Sequence, residues 1–228
     1  MHGGARKSKN APAAARRPRA GAKSLSCEAV AEAALEILRN EGPDSLSLRR
    51  VGEILGTNHV AVYRRCGSFD GLLDMCADYV ARDFPAVADD LDWVEATQMR
   101  FEAAFDMWAE HADLILLMHG RAWLGVNITS RFYEPAMHGI VASGLPIDDA
   151  SGLFSTLYRL TIGSVVTTRA NHWAPGESRE ALRQLGIERF PTLARVNNEV
   201  DYDDDRATFC AALRRIIVDM ARQGSEKP

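Results

Sequence analysis

The segment at 45–73, SLSLRRVGEILGTNHVAVYRRCGSFDGLL, constrains this chain more than any other stretch. Leu48, Val51 and Leu55 recur at helical spacing and share one face. Gly56 stops that helix, because a residue without a Cβ enters the left-handed region at little cost. Asn58 then caps a second helix by accepting a bond from its free backbone N–H groups. That helix is short, spanning 59–65, and it ends in Tyr63-Arg64-Arg65. A further helix starts almost at once, at Ser68 or Asp70. A short helix fixed by a tight turn, with donors at its tip, has the shape of a DNA major-groove reader.

Helical signals continue on both sides. Ser26 is an N-cap, and Val30, Ala33, Ala34, Ile37 and Leu38 line one face before Gly42-Pro43 breaks the chain. Ser47 caps the next helix, and the helix after the short reader runs to Pro85. Beyond Asp92 the periodicity predicts helices at 93–111, 112–121, 130–143, 149–168, 178–185 and 206–222. The stretches at 171–177 and 201–205 read as loops. No period-2 strand pattern and no internal repeat competes, so the fold class is all-α.

Charge is distributed unevenly. The net charge is −4, yet residues 1–23 hold seven of the 27 basic residues and none of the 31 acidic ones. Those residues are Ala, Arg, Pro, Gly and Lys in low-complexity order, and they read as a disordered basic arm. Arg16, Arg17 and Arg19 suit a narrow minor groove; the plainer reading is a solubilising tail. A DNA-facing surface elsewhere has to be local. The four cysteines at 27, 66, 76 and 210 form no Cys-x-x-Cys pair and lie at no zinc spacing from a His. They read as reduced thiols packed as small apolar groups. There is no apolar run of membrane-spanning length and no secretory h-region, which points to the cytoplasm.

The chain resembles TetR-family transcriptional regulators. The matching blocks are AVAEAALEILRNEG (29–42), LSLRRVGEILG (46–56) and NHVAVYRRCGSFDGLL (58–73). The later half is similar through EPAMHGIVASGLPIDDASGLFSTLYRLTIGSV (134–165), FPTLARV (190–196) and DDRATFCAALRRII (204–217). The resemblance implies a basic arm at 1–23, a three-helix helix-turn-helix domain with its connecting helix at 24–84, and a larger helical ligand-binding and dimerisation bundle at 85–228. It implies DNA contacts by Ser47 and Arg49, base reading by Thr57, Asn58, His59 and Val60, and phosphate contacts by Tyr63 with Arg64 or Arg65. Val60 is placed either to touch a thymine methyl or to pack inward. Three positions depart from the family pattern. Phe69 stands where a phosphate-clamping lysine is usual, Cys66 where a Phe is usual, and Gly52 where an Ala is usual.

The implied function is a repressor, homodimeric on a palindromic operator of double-stranded DNA and released by a small-molecule effector. Candidate effector-site residues are Phe105, Trp108, His111, Met118, Trp123, Phe132, Met137, Tyr158, Thr161 and His172, although a stripe of such residues also serves as ordinary core. His111 and His119 lack a third metal ligand, so no metal and no cofactor is expected. Small residues at Gly163, Ser164, Ala207, Ala211 and Ala212 would let two helices per subunit form a four-helix dimer interface. No phosphate loop, His-Glu-x-x-His or Gly-x-Ser-x-Gly motif is present, so the chain does not read as an enzyme. Two other readings use the same residues. One is a DNA-binding regulator without an effector. The other is a helical metabolite-binding protein or enzyme that has lost DNA binding, supported by Phe69, Cys66 and the acidic balance.

Overall fold

The computed structural model describes residues 25–88, 90–118, 125–170, 177–199 and 205–226. Twelve α-helices lie among these residues and no strand does. The head comprises α1 (Cys27–Glu41), α2 (Leu48–Ile54), α3 (His59–Cys66) and α4 (Phe69–Ala81). Each begins at a capping side chain: Ser26, Ser47, Asn58 and Ser68 accept from the N–H of Ala29, Arg50, Ala61 and Gly71 at 2.9–3.1 Å. These caps satisfy backbone donors that the first turn leaves unpaired. The faces buried are those the periodicity marked. Val30, Ala34 and Ile37 of α1 meet Leu72, Leu73 and Ala77 of α4 in a core with Val51 and Val62.

The body follows as α5 (Trp93–Glu110), α6 (Ala112–Leu117), α7 (Val126–Ile128), α8 (Glu134–Ala142), α9 (Ile147–Ala170), α10 (Glu177–Gln184), α11 (Pro191–Glu199) and α12 (Asp205–Glu226). A single π-helical turn, Thr129–Tyr133, joins α7 to α8. Helix α5 is central and packs on α8, α9 and α12. Its core side chains Phe101, Ala104, Phe105 and Trp108 are buried. Helix α4 also touches α6 and α7, so it joins head to body.

Several boundaries differ from the sequence reading. Helix α4 ends at Ala81 and does not reach Pro85, because a residue before proline disfavours helix and Phe84 turns inward to 3 % exposure. The helix expected at 130–143 starts four residues earlier and contains the π turn. Helix α11 was not expected. Pro191 occupies its first helical position, where its missing N–H is no loss.

Candidate nucleic-acid interface

The turn between α2 and α3 is tightly determined. Gly56 adopts φ 61°, as its place in the sequence required. The Thr57 N–H donates to the Gly52 carbonyl at 2.8 Å, folding the turn back on α2. A Cβ at Gly52 would lie 3.1–3.2 Å from the backbone of Thr57, Asn58 and His59. The glycine therefore lets α2 and the start of α3 approach closely, which offsets its poor helix propensity of about 1 kcal/mol.

Helix α3 buries only Val62. His59, Val60, Tyr63, Arg64 and Arg65 are exposed, with Tyr63 at 53 % and Val60 at 44 %. Of the two readings left open for Val60, the structure gives the outward one. Tyr63, with half its surface exposed, offers ring as well as hydroxyl. Ser47 and Asn58 are exposed caps and Thr57 is half-buried beside them. The two arginines of α2 separate clearly. Arg50 turns back on the head, its guanidinium bidentate on Glu41 of α1 at 2.6 and 2.9 Å and bonded to Glu53 at 3.2 Å. That bond holds the Glu41 carboxyl below the usual carboxylate range and raises the Arg50 guanidinium. Arg49 points outward with 84 % of its side chain exposed and only a loose pairing, 3.5 Å, to Glu53.

The junction of α3 with α4 holds a constraint the sequence reading missed. Gly67 reverses the chain at φ 74°, and a Cβ at Gly71 would fall 1.9 Å from the Cys66 carbonyl oxygen. Only glycine permits this contact, and it fixes the tilt of α3 against α4. The signal was present as a small residue two places after Phe69, but only the fold shows what lies above it. Cys66 is half-buried, its Sγ donates to the Val62 carbonyl at 3.4 Å, and burial raises its thiol. Burial pushes the Cys76 thiol up to about 12, while Cys27 is exposed, unlike the packed role expected of it. Phe69 is 37 % exposed at the start of α4. Arg16, Arg17 and Arg19 lie outside the described residues.

In the body, the structure redistributes the candidate effector residues. Phe105 stacks on Phe209 with centroids 4.6 Å apart, and Phe105, Trp108 and Met118 are buried core. Phe132 belongs to a ring cluster with Phe84, Phe101, Tyr133 and Phe154, and Phe154 stacks on Tyr158. The Tyr133 hydroxyl donates to that of Tyr158 at 3.2 Å, and burial drives the Tyr133 phenol well above its ordinary range. Tyr133, Phe101 and Phe154 were absent from the sequence-based site, although Phe154 and Tyr158 stand four apart on one helix face. Thr161 is a correction: its hydroxyl is buried and donates to the Leu157 carbonyl of its own helix at 2.8 Å, so that proton is already used. His111 is another. It lines a cleft of about 220 Å³ between α1 and the α5–α6 corner, with Leu35, Leu38, Arg39 and Asp113, and so faces the head. Met137 is half-buried on α8. Trp123, His172 and His119 lie outside the described residues.

A capped helix-turn-helix head on an aromatic-cored helical body defines a class of protein, the two-part all-α protein with a helix-turn-helix head. Residues 84–223 match the family model of the tetracyclin repressor-like C-terminal domain, and the chain belongs to the TetR family. It is 34 % identical over 113 residues to the HTH-type transcriptional repressor DrrR1 of Streptomyces coeruleorubidus. That match covers 48 % of this chain and 42 % of the relative, less than half of either. The fold is similar to that of apo ActR from Streptomyces coelicolor, with TM-score 0.76, 24 % identity, and coverage of 90 % of this chain and 99 % of that one. ActR in complex with (S)-DNPA gives TM-score 0.74 at 25 % identity, covering 89 % of this chain and all of that one.

Proposed function

We propose that this chain is a ligand-responsive repressor that occupies a palindromic operator as a homodimer and leaves it when a flat aromatic effector enters the body. The observation that carries the reading is α3, a capped helix that buries one residue and turns His59, Val60, Tyr63, Arg64 and Arg65 outward. His59 and Val60, at the start of the helix, suit base edges, and Tyr63, Arg64 and Arg49 suit phosphates. Thr57 and Asn58 hold the turn that sets their angle, and Ser47, the exposed cap of α2, joins them as a contact residue. Arg16, Arg17 and Arg19 would add cations beside the backbone, where Phe69 replaces a lysine.

Dimerisation is supported by the outer faces of α9 and α12, which pack on each other within the subunit. Gly163 and Ala211 are exposed there, and a Cβ on Gly152 or Gly163 would meet nothing within 4 Å. Two such pairs form a four-helix interface and set two α3 helices at the spacing of successive major grooves.

The ring cluster gives the effector its chemical class. Phe101, Phe132, Tyr133, Phe154 and Tyr158 offer faces and edges to another ring. The tyrosine pair makes one bond with two hydroxyls, leaving the Tyr158 proton for an acceptor. Thr97, one helical turn from Phe101, holds a buried hydroxyl with no partner among the described residues. Titrating the protein onto a fluorescent duplex of its own upstream region should show salt-dependent binding. Added effector should bind free protein more tightly than DNA-bound protein, since otherwise no population shifts. Release without that difference in affinity would refute the mechanism.

A further inference from the structure

One polar cluster lies outside both the reading face and the aromatic interior. Asp78 belongs to the last turns of α4, yet its carboxylate sits on the first residues of α7 in the body. The N–H groups of Asn127 and Ile128 donate to Oδ1 at 2.8 and 3.4 Å. The Asn127 side-chain amide donates to Oδ2 at 3.0 Å and to the Asp78 main-chain carbonyl at 3.2 Å. Helix α7 has no cap of its own, because Gly125 precedes it. Asp78 supplies that cap from another helix, and a carboxylate at a helix N-terminus is the favoured polarity. Gly125 is what admits it: a Cβ there would lie 2.1 Å from Oδ1 and 2.5 Å from Cγ of Asp78.

The same short stretch of chain reaches the aromatic interior. Ile128 and Phe132 are 1 % exposed, and Phe132 packs on Phe84, just beyond the end of α4, at 5.3 Å. Tyr133 then meets Phe154 and Tyr158. Between the latch and these rings lies the π turn Thr129–Tyr133, an irregularity that concentrates at functional sites because one extra residue per turn can be gained or lost. Residues 125–133 therefore touch α4 at Asp78 and, through Phe132 and Tyr133, the ring cluster that includes Phe84 just past the end of α4.

We propose that the Asp78–Asn127 latch, admitted by Gly125, is the positioning device that ties the inclination of α4 to the state of the aromatic interior. The inference rests on the repressor reading above and names the contact through which that reading works. In the latched arrangement α4 is held against α7 and the two heads keep the spacing an operator needs. A shift of the π turn draws the α7 N-terminus off the carboxylate and frees α4 to tilt. This is a two-arrangement element of the kind coupling requires.

The test is a double-mutant cycle in the full-length protein. Gly125→Ala inserts a methyl group into the latch and should weaken binding to the upstream duplex at least tenfold without effector. In an Asp78→Ala background, where the closest contacts are gone, the same substitution should weaken it less than twofold. A coupling of fivefold or more between the two positions supports the latch, and anything smaller overturns it. Amide hydrogen exchange supplies a readout independent of DNA. Asp78→Ala should speed exchange at Asn127 and Ile128 and also through 69–75, the head end of α4. Faster exchange confined to 125–128 would mean a local cap only and would overturn the proposal. If Gly125→Ala does not fold, Asp78→Asn read by the same exchange pattern decides between these outcomes. If wild-type protein ignores its upstream duplex while Asp78→Ala still shows the long-range exchange change, the result counts against the operator and leaves the latch standing.

Discussion

The head and the body are packed from different materials. Val30, Ala31, Ala34 and Ile37 face Leu72, Leu73 and Ala77 across the α1–α4 contact, an aliphatic seam to which the partly exposed Tyr79 adds a hydroxyl bond with Glu32. The centre of the body is Phe101, Phe105, Trp108, Phe132 and Phe209. Small aliphatic side chains let two helices approach closely and leave few alternative packings. Large rings can be rearranged around a guest, since their contacts with each other resemble those with a ligand ring. On the proposed function, the difference gives rigidity to the part that would match DNA and adaptability to the part that would respond.

The sharpest way to break that comparison is to disturb the head by one methyl group. Gly71→Ala places a Cβ 1.9 Å from the Cys66 carbonyl, a clash with backbone that no rotamer relieves. Overpacking of this kind costs about 3 kcal/mol, at the upper end of its usual range. We expect a melting point several degrees lower and operator affinity reduced by about two orders of magnitude, as the 3 kcal/mol also measures the tilt of α3 that is lost. Unchanged melting and full affinity would show that the head is as adaptable as the body.

Next in size is the loss of a contact without loss of structure. Arg49→Ala removes a side chain 84 % exposed whose one ion pair among the described residues, with Glu53, is itself exposed. Such a pair contributes little to stability. The melting curve should therefore stay in place, while operator affinity falls about tenfold and the salt slope flattens by about one unit. Arg50→Ala should show the reverse pattern, a lower melting point, because its partners are Glu41 and Glu53. If the two substitutions behaved alike, the division of labour between adjacent arginines would be wrong.

This contrast also explains what could be read in advance. The head was legible because its signals are local: Ser26, Ser47, Asn58 and Ser68 each act within three residues. The positive φ of Gly56 followed from the turn it occupies. The family resemblance singled out Arg49, but the inward turn of Arg50 was not legible from the local pattern, since Glu41 lies nine residues away and on another helix. In the body, Phe105 and Trp108 were named as effector-site candidates and lie in the buried core, since core and site look alike at helical spacing. The grouping of Tyr133 with Tyr158 depends on two helices 25 residues apart. His111 went astray for the same reason: its neighbours Leu35, Leu38 and Arg39 come from α1. Information carried by long-range packing is absent from any single window of sequence.

A smaller effect separates the body's two uses of its rings. Tyr133→Phe keeps the packing with Phe132, Phe154 and Tyr158 and deletes one hydroxyl. Operator binding without effector should be unchanged. The effector concentration for half-release should rise about fivefold, the worth of one neutral hydrogen bond of about 1 kcal/mol. An unchanged half-release concentration would return Tyr133 to plain core.

The smallest expected effect lies where head and body meet. His111 faces α1 across the cleft that Arg39, Glu110 and Asp113 also line. Burial lowers its imidazole below the ordinary value of about 6.5, the Glu110 charge works against that, and Arg39 adds to the lowering. A lowered folded-state value means that the unfolded chain binds the proton first as acid is added. The stabilising contribution is therefore complete above about pH 6.5 and is lost as pH falls from there toward the folded-state value. The Glu41 carboxyl, held low by Arg50, begins to lose its contribution only beneath its ordinary 4.5, below the pH range of the melting test. Melting points recorded from pH 8 to pH 5 should fall by roughly a degree or two more in wild type than in His111→Gln. The partial exposure of His111 keeps the difference small, because solvent screens a charge that it reaches. Identical pH profiles would mean that the cleft takes up the proton freely, and that head and body touch there without depending on each other.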